Sequence, residues 1–192
     1  MPPKPKISKD MILEAALEIT RQQSFEEVNA RRLAQELKCS TRPIFTCYRN
    51  MEELKKEFLI FAFNFYEKFT EEYGKIEKVP DFLLLPLSYI RFAASESQIF
   101  KLLFITDMEL DMSASSDFYA QAENGEKAKI FARQIGVDEK DGKKIFFDLF
   151  LYSHGLAVLT CTKKSCISST EAERMLNNLV SALADASREE KQ

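Results

Sequence analysis

The sequence predicts an all-α fold of about nine helices, a three-helix N-terminal head followed by a larger helical body. Apolar residues recur at intervals of three and four through nearly the whole chain, the spacing that keeps them on one side of a helix. No stretch shows the in-out alternation of a strand. Only five glycines and six prolines interrupt 192 residues, of which 45% are hydrophobic, ample material for a sizeable core.

Ser8 opens the first helix. Its hydroxyl can accept from a first-turn amide, and Ile12, Ala15, Ala16 and Ile19 then form one stripe, broadened by Met11 and Leu13. Residues 29–48 read as two short amphipathic helices separated by three residues, the outline of a helix-turn-helix. Ala30, Leu33, Ala34 and Leu37 follow an Asn29 cap, and Ile44 with Tyr48 or Cys47 gives a second apolar face behind a Ser40 cap. Pro43 falls in the first turn, where its missing N–H has no intrahelical partner to lose. Arg42, as the residue before proline, is biased away from helical angles.

Asn50 and Glu53 form a capping pair, after which Leu54, Phe58, Phe61, Phe65 and Phe69 keep helical spacing to about Tyr73. Gly74 to Pro80 should break this helix, which joins head to body. Residues 81–95 and 98–108 read as helices, 111–125 as a loop, and 127–135 as a helix stopped by Gly136. Asp138 caps a long apolar helix to about residue 162, and KKSCISS turns into a last helix over 171–186. That helix carries Met175, Leu176, Leu179, Val180, Leu183 and Ala186 along one side. The expected domains are residues 1–50 and 51–192.

Charge is unevenly spread. Residues 31–49 hold five basic residues, Arg31, Arg32, Lys38, Arg42 and Arg49, against Glu36 alone, a local net of +4 in a chain of net −3. Residues 1–50 carry +3 and residues 51–192 carry −6, so a polyanionic partner is expected at one end. The second short helix would show Thr41, Arg42, Phe45, Thr46 and Arg49 to solvent, a surface of the size that enters a DNA major groove. Paired short helices with a solvated arginine face are also ordinary packing, and spacing alone assigns no groove.

Residues 9–54 resemble the head of the TetR family of bacterial transcriptional regulators: ILEAALEI, Phe25, VNARRLAQEL, CSTRPIFTCY and NMEEL follow in its order and spacing. The resemblance implies a ligand-responsive repressor that binds double-stranded DNA at an inverted-repeat operator as a homodimer and is released by a small-molecule effector. It implies that the helix over 41–48 is the recognition helix, and that Asn29, Arg31, Thr41, Arg42, Phe45, Thr46 and Cys47 touch DNA. Ser40, Pro43 and Arg49 complete the expected DNA-binding set.

The chain departs from the family pattern where DNA is concerned. Ser24 stands where glycine follows helix 1, and Leu37 and Lys38 stand where the turn carries a small residue and glycine. Arg42 replaces glycine, Phe45 tyrosine, Cys47 an aromatic or histidine, and Met51 the lysine that opens helix 4. Lost hydroxyls and a lost cation remove phosphate contacts, the main source of sequence-independent affinity, for which Arg42 and Arg49 can compensate. These departures favour an alternative, a TetR-like protein-interaction module or coactivator without DNA binding.

The helix over 143–162 is apolar nearly all round, as a helix is only when surrounded, so part of its surface needs a partner. In the resembled family the last two helices pack on the same pair of a second subunit, and SHGLAVL resembles a motif there. Leu156, Leu159, Leu176, Leu179 and Leu183 are the expected dimer interface, and a two-fold axis would present two heads to successive major grooves. Phe65, Phe92, Phe104, Met108, Phe118, Phe147, Phe150 and Tyr152 could line an effector cavity, as the family implies. Aromatics at helical spacing fill cores by default, and no convergent polar set names a ligand.

Catalysis finds no support in the sequence. His154 stands inside the apolar helix as a packed histidine does, and Cys161 and Cys166 beyond it match no common metal-ligand spacing. No phosphate loop, GxSxG or paired-carboxylate motif occurs, so neither enzyme activity, cofactor nor metal is expected. Cys39, Cys47, Cys161 and Cys166 form no CxxC and read as reduced thiols. MPPKPK reads as a disordered basic arm without the apolar core of a signal peptide. With no run of 18 apolar residues either, a cytoplasmic protein with no membrane partner is expected.

Overall fold

The computed structural model describes residues 7–106, 117–120, 122–164 and 167–190. Among these residues every regular element is helical, and the chain has the all-α architecture its spacing predicts. The α-helices are α1 (Lys9–Gln22), α2 (Ala30–Glu36), α3 (Arg42–Cys47), α4 (Met51–Ile76), α5 (Asp81–Ser95), α6 (Ser97–Lys101), α7 (Ala122–Ile135), α8 (Glu139–Cys161) and α9 (Ser169–Glu189). MPPKPK, Met108 and Cys166 lie outside the described residues. Two compact units divide the chain: Met1–Lys68 with Glu96–Met108, and Phe69–Ser95 with Glu109–Gln192. The first unit therefore takes in more than residues 1–50, adding most of α4 and all of α6.

In the first unit, Ser8 Oγ accepts from the Met11 amide at 3.3 Å, and α1 buries Ile12, Leu13, Ala15, Ala16 and Ile19. Asn29 caps α2. The cap of α3 is Thr41, which makes no side-chain bond, and not Ser40. A serine cap at 40 would bond best to the amide three residues on, and Pro43 has none to give. Asn50 Oδ1 accepts from the Glu53 amide at 2.9 Å while Glu53 Oε2 accepts from the Arg49 amide at 2.8 Å, a double lock on the start of α4. Phe58 of α4 is fully buried and stacks on Phe25 at 5.1 Å between centroids. Helix α6 buries Ile99 and Phe100 and runs on into a π turn, Leu102–Thr106.

The second unit is built around Leu83 and Leu87 of α5, Phe131 of α7, Ile145, Leu149 and Leu156 of α8, and Leu176, Val180 and Ala184 of α9. Helix α4 passes through Gly74 to Ile76 where a break was expected; a Cβ on Gly74 would stand 3.1 Å from Leu84 Cδ1, so the missing side chain makes room for α5. Helix α7 begins at Ala122, inside the stretch expected to be a loop. Its first turns are held by charge rather than apolar periodicity, with Lys127 paired to Glu123 at 3.4 Å and Lys129 to Glu126 at 2.7 Å. Asp141, only 8% exposed, accepts from Ser187 Oγ at 2.6 Å and ties α8 to α9. By length and composition α8 is long and apolar enough to cross a membrane, and 33% of its apolar stretch is buried within the chain.

Candidate nucleic-acid interface

The turn between α2 and α3 is closed twice. The Lys38 amide donates to Gln35 O at 3.2 Å and the Cys39 amide to Ala34 O at 2.9 Å, a pattern that requires a left-handed residue between them. Lys38 is that residue, at φ +51°, a conformation costing a side chain about 1 kcal/mol. Ile44 (0% exposed) and Tyr48 (2%) then anchor α3. Lys9 Nζ sits 4.7 Å from the Tyr48 ring centroid and pairs with Glu57, binding the end of α3 to α1 and α4. Burial, reinforced by the Glu57 carboxylate, pushes the Tyr48 phenol above its ordinary range.

What this anchoring leaves outside is cationic. Arg42, Phe45 and Thr46 are exposed on one side of α3, with Phe45 51% exposed. Arg49 is exposed too, but Tyr48 is extended (φ −132°, ψ 133°), so Arg49 leaves the stripe of α3 and stands just before α4. The Thr46 hydroxyl donates back to Arg42 O at 2.9 Å, which keeps its oxygen available as an acceptor. Ser40 is exposed, Thr41 and Pro43 are half-buried, and the half-buried Cys47 thiol contacts Ile7 O at 3.9 Å.

Asn29 has a different occupation. Its Oδ1 accepts from the Arg31 and Arg32 amides at 3.1 and 3.0 Å and its Nδ2 donates to Glu27 O at 3.1 Å, so its oxygen is taken up in capping while its amide nitrogen holds a second hydrogen. Arg31 beside it is exposed. Among the described residues Arg31, Arg32, Lys38, Arg42 and Arg49 form no ion pair, whereas Lys127, Lys129, Arg174 and Arg188 each pair with a carboxylate on their own helix.

The aromatic residues expected around an effector are divided between the two units. In the first unit Phe104 packs on Tyr66 and Phe100 at 5.0 and 5.2 Å, and the Phe65 ring lies 5.5 Å from Arg21 Cζ. In the second, Phe92 is fully buried against Phe69, while Phe118 meets Phe147 at 5.4 Å and Phe150 at 4.7 Å. Tyr152 is 37% exposed. His154 Nδ1 is 2.9 Å from Tyr89 Oη, and burial holds the imidazole below its ordinary pKa. A cleft of about 110 Å³ lies between α5 and α7, lined by Phe82, Leu85, Pro86, Ile130, Phe131 and Phe146, none of them an expected ligand residue. Cys39 and Cys47 are free thiols, and no metal-binding group forms among the described residues.

Of the expected interface leucines, Leu156 (6% exposed) and Leu176 (0%) belong to the core of the second unit, because α8 and α9 turn them toward α5. Leu179 and Leu183 are half-buried and Leu159 is 43% exposed. Leu151, 45% exposed, was not singled out from the sequence; the four-residue spacing Leu151, Gly155, Leu159 is the signal that marks this uncovered stripe. At Gly155 an added Cβ would meet nothing within 4 Å. Among known proteins, no family model matches the chain and no curated protein matches it.

Proposed function

We propose that this chain is a DNA-binding transcriptional regulator of TetR type, a cytoplasmic repressor that binds an inverted-repeat operator as a homodimer and is released by a small-molecule effector. The observation that carries the reading is the face around α3, where Arg42 and Thr46 are exposed on a helix anchored by Ile44 and Tyr48, and where five cations form no ion pair among the described residues. An unpaired basic surface beside a short, well-fixed helix suits phosphate contacts at its rim and base contacts at its centre. The likeness over residues 9–54 supports the same assignment.

The dimer is supported by the uncovered stripe Leu151, Tyr152, Gly155 and Leu159 on α8, which a second copy could cover. Helix α4 supports the coupling: it runs unbroken from Met51 to Ile76, so an effector that displaces its later turns also moves the residues that follow α3. The chain acts without catalysis or cofactor in this reading.

Titration of the full chain onto duplex DNA from upstream of its own gene, at several salt concentrations, tests the proposal. Binding that weakens log-linearly with salt supports it. A folded dimer that binds no duplex at low salt would turn the assignment to a protein-interaction module, which the exposed Phe45 ring favours.

A further inference from the structure

Helix α1 is pinned at both ends by charge. At its last turn Arg21 makes a two-pronged contact with Glu96, Nε donating to Oε2 at 2.8 Å and Nη2 to Oε1, and the guanidinium carbon lies 5.5 Å from the Phe65 ring centroid on α4. At its first turn Lys9 pairs with Glu57 and covers the Tyr48 ring, the residue that ends α3. Between these ends Ile12, Ala16 and Ile19 are at most 2% exposed, so the helix, about 20 Å long, is held as one body.

We propose that Glu96 is a positioning residue for α3: through Arg21 it fixes α1 as a strut, and α1 passes that placement to α3 through Lys9 and Tyr48. Glu96 is 9% exposed and Arg21 41%, so the carboxylate is the partner that depends on the pair. A carboxylate this buried is costly without its cation, and a forked contact fixes orientation as well as distance. Glu96 is also the single non-helical residue, φ −121°, between the end of α5 and the start of α6. The chain returns to the first unit at this residue. The inference rests on the reading of α3 as the DNA-contacting helix, but its test needs no DNA.

Amide hydrogen exchange on the full chain provides that test. In Glu96→Gln, residues 45–48 should exchange about tenfold faster than in wild type, the order expected for loss of a charge-assisted bond, while residues 54–58 of α4 keep their rates. The double variant Arg21→Glu with Glu96→Arg should restore slow exchange at 45–48. Arg21→Lys, which keeps the charge and loses the fork, should fall between wild type and Glu96→Gln. Unchanged rates at 45–48, or an equal rise at 54–58, would reduce the pair to a staple between α1 and α6 and overturn the proposal. Faster exchange at 45–48 in a chain that binds no DNA would keep the strut and remove the DNA reading.

Discussion

Gly142 of α8 approaches Ala132 of α7 so closely that a Cβ built on it would stand 2.2 Å from the Ala132 Cβ and 3.0 Å from its Cα. Glycine inside a helix ordinarily costs about 1 kcal/mol relative to alanine, so Gly142→Ala should stabilise on propensity alone. Here backbone as well as side chain blocks the new methyl, and overpacking of about 1–3 kcal/mol or more wins. Urea unfolding should therefore show Gly142→Ala less stable than wild type. Gly125→Ala, on α7 with nothing within 4 Å, should be more stable by about 0.5–1 kcal/mol. A neutral Gly142→Ala would mean that α7 and α8 are not packed at this distance.

His154 supplies a pH dependence. Burial holds its pKa below the ordinary 6.5, so on acidification the unfolded chain takes up its proton first. The stability contributed by neutral His154 is complete above 6.5 and is lost as pH falls through 6.5 toward the lowered value. Unfolding free energies measured at about pH 7 and pH 5 should differ less in His154→Gln than in wild type. Equal differences in the two proteins would contradict a desolvated imidazole at this position.

The uncovered stripe of α8 separates interface from core. Leu159→Glu should give a folded monomer by sedimentation, since Leu159 is 43% exposed and its replacement disturbs no core of the chain itself. Leu156→Ala should instead cost about 2–5 kcal/mol of stability, as a residue 6% exposed in the core does. Wild-type protein that sediments as a monomer at micromolar concentration would remove the dimer from the proposal.

The helices were legible in the sequence where local chemistry decides them. Ser8, Asn29, Asn50 and Asp138 cap the helices expected of them, and the stripe of α1 is the buried one. The errors fall where particular neighbours override the general signal. Gly74 does not end α4 because Leu84 fills the space its side chain would take, and the start of α7 was hidden because ion pairs replace apolar periodicity there. Ser40 lost the α3 cap to the missing amide of Pro43.

The candidate site was legible as a group of cations close together in sequence, because charge and helical spacing are local properties. Its mounting was not. Arg21 and Glu96 are 75 residues apart in sequence, and neither carries a motif that announces the other. Leu156 and Leu176 have the same apolar character as Leu159, and only the packing of α5 distinguishes inward from outward. The left-handed Lys38 was also hidden, since lysine gives no sign of a positive φ.

Anisotropy titration of wild type, Arg42→Ala and Arg49→Ala on a duplex carrying the upstream inverted repeat, and on a scrambled duplex, tests the DNA reading most directly. Arg42, exposed in the first turn of α3, should read a base, so Arg42→Ala should lose about 1–3 kcal/mol of preference for the repeat over the scrambled duplex. Arg49, beyond the end of α3, should meet phosphate, so Arg49→Ala should weaken both duplexes alike and lower the salt slope by about one. Wild type and Arg42→Ala binding every duplex with equal affinity, or a folded wild-type dimer binding none at low salt, would contradict the assignment of α3 as a DNA-reading helix.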